Sequence, residues 1–452
     1  MSSRHLLHGS GTGAADLRDE VRLRAWQGLT SEGVFVLLGF LAVADFALPA
    51  PVAIWFPLPA LALAVNALSP GVLFGASHWV VRRRVYVPIA LVVLVGLGVV
   101  AGGALLNPSP HSDQPLTMTC AARDLLRGAD PYTTFEPQCE ARLGYHGLAA
   151  TPLTNGPFAS VRDYPSDRQI ATAMRSDQLT GSTQGFPPYG YPPEAALVLV
   201  PVAFSGWHLI TLWTAALTAA LLMLAWAPRP RPPLPLALWQ LAGIGLVVAG
   251  FGWNPELISY LLLCLAFARL TDRRLSPIAL GLAVLTNQQA WLAAPVYIAL
   301  THHEPYWWRR TAWLAGVLAA GTVPWMIWDH SLLLQLWRFI SLPVFPIGAT
   351  VSQLLPHSAG YRLALAATFA GFIATCAVVA WVSERWRWAM VPLVWLAFFF
   401  SWRAPLYYYD AVFWLTPAVL LGAMRSKGAA TGLRTALSSG SKPQLAAPPW
   451  GR

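Results

Sequence analysis

A polar segment that begins at residue 111 contains the residue best suited to proton chemistry in this chain. The stretch HSDQPLTMTCAARDLLRGADPY, residues 111–132, follows an apolar run that ends at Leu106. Its first acid, Asp113, therefore lies within a turn or two of that run. A carboxylate at such a boundary can accept a proton from a hydroxyl group. A solvated loop carboxylate, or a charge at a helix N-terminus, is the alternative interpretation.

Cationic side chains further along the chain are candidates for binding a phosphate group. His330 and Arg338 lie eight residues apart in WDHSLLLQLWRF, so they share a face if that segment is helical. Arg403, in SWRAPLYYYD, carries the same forked guanidinium, which matches phosphate oxygens. For each arginine the alternative is snorkelling to the membrane surface.

Polar and aromatic residues supply further binding candidates. Asn254, in GWNPE, can hydrogen-bond a sugar or a phosphate, or it can cap a turn. Gln288, in TNQQ, must face protein or a cavity because an amide facing lipid is costly. Tyr189 and Tyr191 can stack on a sugar, although a place in the interfacial aromatic belt is the preferred interpretation.

The elements that position these residues are predicted to be membrane spans. The 452 residues are 56% hydrophobic and only 11% charged, whereas soluble domains carry charge on about a quarter of their residues. Several runs approach the ~20 apolar residues that cross a bilayer. The clearest are 33–50, 86–106, 207–227, 236–252 and 362–382. An ordinary soluble globule is excluded.

The net charge of +10 reports orientation rather than a nucleic-acid partner. Basic residues form short clusters between spans, for example Arg82–Arg84, Arg273–Arg274 and Arg309–Arg310, while alternate loops carry few. This is the positive-inside pattern of plasma-membrane proteins. The scarcity of lysine beside many arginines is typical of a high-GC bacterial proteome.

The charge pattern divides the chain into four parts. We expect a cytoplasmic N-terminal tail (1–32), an extra transmembrane hairpin (33–85), a main membrane module (86–425) and a disordered cytoplasmic tail (426–452). The main module contains a long extracytoplasmic loop, 107–193. The predicted fold is an all-α polytopic bundle of about 10–12 transmembrane helices.

Residues 277–300 admit two interpretations. They form either one span interrupted by the polar residues TNQQ, or two half-helices that dip into the membrane and return to Arg309–Arg310. The positive-inside rule favours the half-helices because it keeps WWRR cytoplasmic.

Within the outer loop, CAARDLLRG predicts a short interfacial helix. Its apolar positions Ala121, Leu125 and Leu126 oppose charged residues, including Asp124, and Gly128 is expected to end the helix. Asp124 and Asp130 are expected to be structural.

The four cysteines fall into two groups. Cys120 and Cys139 share the outer loop, where either a disulfide or two free thiols can occur. Cys264 and Cys376 lie within apolar runs and are expected to pack as small apolar residues.

The sequence predicts no metal and no cofactor. Asp163 and Asp167 do not form a DxD pair, and no His/Cys cluster has metal-ligand spacing. A P-loop and a GxGxxG that opens a helix are also lacking, so a nucleotide site of the soluble type is not expected.

Several motifs occur in a recognisable order. Asp113 is followed by Ala121–Ala122, Leu125–Leu126, Gly128, Pro131–Tyr132 and, much later, Tyr191–Pro193. On a multispan scaffold this order resembles the GT-C integral-membrane glycosyltransferases, and within them the family-87 enzymes that use polyprenyl-phosphate sugars. The resemblance spans roughly residues 86–420.

The resemblance implies an inverting glycosyltransferase. Such an enzyme transfers a sugar, here expected to be mannose, from a polyprenyl-phosphate donor to a lipid or cell-envelope glycan acceptor. The reaction takes place on the outer face of a bacterial plasma membrane, with both termini cytoplasmic. Asp113 takes the position of the general base, and Tyr132 and Tyr191 lie in the motifs that approach the substrate.

Two positions depart from the family pattern. Thr117 stands where the family often has tyrosine, and Asn287 stands where a lysine is frequent. These departures leave two alternatives open: a transporter or flippase of lipid-linked saccharide, and a non-catalytic membrane scaffold of the same fold.

Overall fold

The computed structural model describes the central part of the chain. The described residues are 114–132, 151–161, 164–180, 186, 189–203, 207–226, 255–340, 342–348, 350–353, 361–384, 386–401, 403–404, 408, 411, 414–416, 418–419, 421–423 and 425–426. The first three predicted spans, both tails beyond these ranges, Asp113, Cys139 and Asn254 lie outside the described residues.

The described residues are predominantly helical, in agreement with the all-α character of the predicted fold. The α-helices are α1 (Gln114–Leu126), α2 (Asp167–Thr180), α3 (Pro193–Leu197), α4 (Trp207–Trp226), α5 (Glu256–Ala268), α6 (Leu275–Thr286), α7 (Ala293–Thr301), α8 (Trp307–Trp328), α9 (Leu332–Ile340), α10 (Tyr361–Val382) and α11 (Met390–Leu393). Short 3₁₀ helices cover Gly156–Phe158, Val200–Val202, Gln288–Leu292, Val351–Gln353 and Val394–Phe400. Two short strands, β1 (Ile347–Gly348) and β2 (Arg403–Ala404), pair in parallel.

Within the described ranges, two helices are long and apolar enough to cross a membrane. These are α8 and α10, each of 22 residues, with mean hydropathies of 1.3 and 2.2 over their most apolar windows. Only 6% and 17% of those windows is buried inside the protein. A core helix of a soluble protein would be covered, so these bare apolar faces suit lipid.

The TNQQ region breaks one apolar segment into two half-helices. Helix α6 ends at Thr286, Asn287 is extended, and α7 begins at Ala293 after the 3₁₀ helix. The Ser276 hydroxyl of α6 lies 2.8 Å from the Tyr297 hydroxyl of α7. A continuous helix would separate residues 21 positions apart by roughly 31 Å. The half-helices therefore fold back on each other, which is the second of the two predicted interpretations.

Arginine side chains satisfy the carbonyl groups at one end of the bundle. The last carbonyls of a helix have no partner within the helix. Arg310, at the start of α8, donates to the carbonyl of Leu270 and pairs with Glu304 at 2.6 Å. Arg269 donates to the carbonyl of Leu224 at 2.7 Å, and Arg425 donates to that of Ala268 at 2.6 Å. Residues around 270 and 310 thus lie at the same end, as the positive-inside pattern predicts.

Helix α1 ends where the sequence predicts, but its faces differ from the prediction. Gly128 adopts a left-handed φ of 72°, and the amide of Ala129 donates to the carbonyl of Asp124 at 2.9 Å. Asp124 is only 5% exposed, whereas Leu126 is 42% exposed, so the predicted amphipathic assignment of these two residues is wrong. The buried face instead runs through Met118, Ala121 and Ala122, and the neighbouring Arg127 lies 3.9 Å from the Asp124 carboxylate.

The predicted outer loop contains a second helix that the sequence pattern did not reveal. Helix α2 buries Ile170 and Met174 against Phe158 and Phe345. The backbone of Leu153 also forms an antiparallel bridge with Val344. Residues 151–180 therefore pack against the segment that follows α9, and the two predicted outer loops meet.

Candidate functional site

The two halves of the sequence motif meet in space. The Tyr132 hydroxyl of DPY donates to the backbone carbonyl of Tyr191 in YPP at 2.7 Å, across 59 residues of chain. The Tyr189 ring bridges them, because its centroid lies 5.2 Å from that of Tyr132 and 5.9 Å from that of Tyr191. These three residues and Trp325 of α8 are called the aromatic cluster below.

Local hydrogen bonds fix the rings of the aromatic cluster. The backbone amide of Tyr132 donates to Asp130 Oδ1 at 2.9 Å, and the Tyr189 hydroxyl donates to the carbonyl of Pro192 at 2.9 Å. The Asp130 contact agrees with the structural role predicted for that residue. Tyr189 is only 4% exposed, so its predicted place in an interfacial belt is wrong. Burial raises the pKa of both Tyr132 and Tyr189, which keeps the two hydroxyl groups protonated.

Apolar packing joins the aromatic cluster to three helices. The buried face of α1 (Met118, Ala121) contacts the same cluster as Ala196 of α3 and Leu336 of α9. Arg123 Nε also donates to the carbonyl of Ala203 at 2.8 Å. The small alanine side chains let α1 and α3 approach closely, so α1 packs against the helix that begins in YPP.

A half-buried carboxyl group lies against this cluster. Glu194, directly after YPP, has both carboxylate oxygens buried without a hydrogen-bond partner among the described residues. A Cβ added at Gly321 of α8 would lie 2.9 Å from Glu194 Oε1, so the missing side chain makes room for the carboxyl. Burial of this carboxyl group raises the pKa of Glu194 to about 7.

A second carboxyl connects the start of α1 to the helix break. The side-chain amide of Gln114 donates to Glu256 Oε1, and Asn287 Nδ2 donates to the same oxygen at 3.3 Å. All three residues are buried. Asn287 also accepts from the amide of Gln289 at 2.9 Å. Asn287 therefore donates to a carboxylate and caps the start of the 3₁₀ helix, at the position where the family frequently has lysine.

Gln288 lies in the 3₁₀ helix of the break and is half-buried. Its Oε1 is buried with no hydrogen-bond partner in the described part of the chain. By contrast, the neighbouring Gln289 accepts from the Tyr260 hydroxyl at 2.7 Å. Gln288 is thus the amide of TNQQ whose oxygen is left for a further donor.

The three predicted phosphate-binding residues lie in or next to α9 and the segment that follows it. His330 is exposed in the turn between α8 and α9, and α9 begins only at Leu332. Because His330 precedes the helix that contains Arg338, the two do not share one helix face as the spacing suggested. Arg403 lies in β2, where its backbone is paired with Ile347. This pairing brings the backbone of Arg403 next to the segment that follows α9.

The described part of the chain leaves some predicted site residues untested. Asp113 directly precedes Gln114, and Asn254 precedes Pro255, but both residues lie outside the described ranges. Cys120 is disulfide-bonded, while Cys139 lies outside the described residues, so their pairing stays a prediction. Cys264 and Cys376 are free and buried, as expected.

Glu194 and Glu256 are the site residues that sequence reasoning missed. Each stands at the start of an apolar segment, AALVLV after Glu194 and LISYLLL after Glu256. An ionisable residue at the start of a hydrophobic run is a usable signal, because burying its charge is expensive unless it has a role. Their contacts, however, come from residues far away in the chain.

The described residues contain no group of three or more His, Cys, Asp or Glu side chains that could hold a metal ion. Comparison with protein-family models, with curated proteins and with solved structures finds no match for this chain.

Proposed function

We propose that this protein is a polytopic membrane glycosyltransferase that uses a polyprenyl-phosphate sugar, with mannose as the expected sugar. The observation that supports it best is the contact between Tyr132 and Tyr191, which joins DPY, just after the end of α1, to YPP. The resemblance to family-87 GT-C enzymes rests on these two motifs and on Asp113. Their contact is what a shared substrate site requires.

The proposed reaction is a single displacement. The Asp113 carboxylate takes the proton of an acceptor hydroxyl, and the acceptor oxygen forms a bond to the anomeric carbon of the donor sugar. The bond from that carbon to the phosphate oxygen breaks, and the lipid phosphate leaves with the electron pair. The phosphate is a stable leaving group, so no general acid is needed. The anomeric configuration inverts.

Cations and amide groups complete the proposed site. Arg338, Arg403 and His330 are the candidates that stabilise the departing phosphate, since charge develops on its oxygens. Gln288, with its partnerless buried oxygen, and Asn254 are candidates for binding sugar hydroxyl groups. In this proposal the site faces the extracytoplasmic side, and the donor tail lies along the apolar helices α8 and α10.

A transfer assay tests the proposal. Purified protein is given radiolabelled polyprenyl-phosphomannose and a membrane lipid extract, and labelled lipid or glycan product is measured. Asp113→Asn should abolish product formation, whereas Glu384→Gln, which changes an exposed carboxyl after α10, should leave it intact. Full activity of the Asp113→Asn protein would exclude the proposed mechanism.

A transporter or flippase of lipid-linked saccharide is the second candidate. The observation that favours it is the broken helix, in which α6 and α7 fold back around TNQQ. Transporters commonly place substrate sites at such interruptions. The buried carboxyl of Glu256 beside this break adds to that argument.

The two candidates differ in the fate of the lipid-linked sugar. In proteoliposomes with labelled donor on one side, a flippase moves intact donor to the other leaflet without an acceptor. A transferase forms product only when the acceptor is supplied. Movement of intact donor, without any transfer product, would favour the flippase.

A further inference from the structure

Two exposed arginines lie against one exposed tyrosine ring. Tyr306 precedes α8 and is 55% exposed. The guanidinium carbon of Arg309 lies 4.9 Å from its ring centroid, and that of Arg273 lies 5.9 Å from the same centroid. Arg273 comes from the turn after α5, so two separate segments place like charges around one ring.

The backbone of Tyr306 is held in an unusual conformation. Its φ is 65° and its ψ is 30°, and it is the one non-glycine residue with positive φ in the described part of the chain. A left-handed tyrosine costs on the order of 1 kcal/mol or more. The conformation turns the chain into α8, and the Tyr306 ring lies close to both arginines.

The nearby acids do not neutralise these arginines. Asp272 Oδ1 accepts from the backbone amides of Arg274 and Leu275 at 3.0 and 2.9 Å. The Glu304 carboxylate is paired with the buried Arg310. Neither Arg273 nor Arg309 has an ion-pair partner among the described residues, so positive charge collects around Tyr306 without compensation.

Exposed tryptophans lie next to this charge. Trp307 and Trp308 open α8 and are both exposed, and the Arg309 guanidinium carbon also lies 5.3 Å from the Trp308 ring centroid. Indole rings favour the headgroup level of a bilayer. Because α8 is one of the two helices able to cross a membrane, its tryptophan-rich start fits that level.

We propose that Arg273 and Arg309, which both lie within 6 Å of the Tyr306 ring, bind the phosphate of an anionic phospholipid. Aromatic rings orient the guanidinium groups of the two arginines, and the N–H groups of these arginines remain available to phosphate oxygens. The tryptophans contact the glycerol and acyl region of the same lipid. This site does not rest on the glycosyltransferase proposal.

Lipid retention tests the site. The full-length protein is reconstituted in nanodiscs of phosphatidylcholine and phosphatidylglycerol, and native mass spectrometry measures the ratio of the two lipids retained. Removing both charges by Arg273→Gln with Arg309→Gln should lower the preference for phosphatidylglycerol on the order of tenfold, since each surface arginine contributes a comparable attraction. Arg309→Lys should keep part of the preference. Arg362→Gln, at an exposed arginine of α10, should keep all of it.

A second variant separates binding from folding. Tyr306→Gly accepts the left-handed backbone without strain and deletes the ring, so the protein should remain stable while the lipid preference falls several-fold. An unchanged preference in the double arginine variant would overturn the proposal. Inorganic phosphate that displaces phosphatidylglycerol at matched phosphate concentration would also overturn it, because the site would then be one for free phosphate.

Discussion

The hydroxyl groups of Ser276 and Tyr297 lie 2.8 Å apart although 21 residues separate them. This contact joins the first turn of α6 to the middle of α7. It shows that the polar break at TNQQ is the tip of a hairpin, which the positive-inside pattern had favoured over a continuous span.

Loss of this contact should destabilise the hairpin. Tyr297→Phe removes a buried hydroxyl partner of Ser276, so we expect the free energy of unfolding to fall by about 1 kcal/mol. Thermal unfolding in detergent measures the change. Tyr306→Phe deletes an exposed tyrosine hydroxyl and should have almost no effect on stability; equal destabilisation by both variants would contradict the prediction.

Two glycines of α8 provide a matched pair. A Cβ at Gly321 would lie 2.8 Å from Leu285 Cδ2 and 2.9 Å from Glu194 Oε1, whereas nothing lies within 4 Å of a Cβ at Gly316. Gly321→Ala should destabilise the protein by about 1–3 kcal/mol because the contact is overpacked. Gly316→Ala should be neutral or slightly stabilising, since alanine favours the helix. Identical stability of the two variants would contradict this prediction, because it would show that the side chains of Glu194 and Leu285 move aside without a loss of free energy.

Glu194 should make stability depend on pH. Its folded pKa of about 7 lies above the ordinary value of 4.5, so the folded state binds the proton more tightly than the unfolded state. The contribution of Glu194 to the free energy of unfolding is therefore largest below pH 4.5. It falls as the pH rises towards 7 and is constant above that pH. The neighbouring Tyr132 and Tyr189 do not titrate in this range because burial raises the pKa of both.

Glu194→Gln should remove this dependence. The variant should be more stable than the parent at pH 8 by about 1–3 kcal/mol, after allowance for partial solvent exposure, and the difference should shrink at pH 5. Unfolding curves at the two pH values measure it. A parent protein whose stability changes no more than that of the variant between these pH values would refute the assignment.

Glu256 should act on the proposed reaction through Gln114. It holds the side chain of the residue that follows Asp113, so Glu256→Ala should lower kcat of the proposed transfer on the order of tenfold or more while KM changes little. Glu256→Gln keeps an acceptor oxygen and should restore much of kcat. Equal losses in the two variants, or a change confined to KM, would assign Glu256 a different role.

The sequence predicted the apolar elements well because their signal is local. The predicted runs 207–227 and 362–382 correspond to α4 and α10, and Gly128 ends α1 as its conformational freedom suggests. The length of the apolar runs set the bounds of the spans, and helical periodicity set the predicted faces of α1. The same rule failed at Asp124 and Leu126, because α1 packs on its alanine face and leaves Leu126 outside.

The polar contacts of the candidate site could not be predicted from local sequence patterns. The donor to Glu256 Oε1 comes from Gln114, 142 residues earlier, and that pairing depends on how α1 meets α5. The burial of Tyr189 likewise depends on Tyr132 and on α9. An aromatic residue near a predicted span end suggests the membrane interface by default, and only tertiary packing moves it into the interior.

The arginines at the ends of the helices change how the charge of this protein should be counted. Arg310 and Arg425 are buried and donate to backbone carbonyls, so they face neither solvent nor lipid headgroups. Among the described residues at that end, the exposed positive charge is therefore carried chiefly by Arg273, Arg274 and Arg309. Raising the salt concentration would screen those exposed charges and leave the buried carbonyl contacts nearly unchanged.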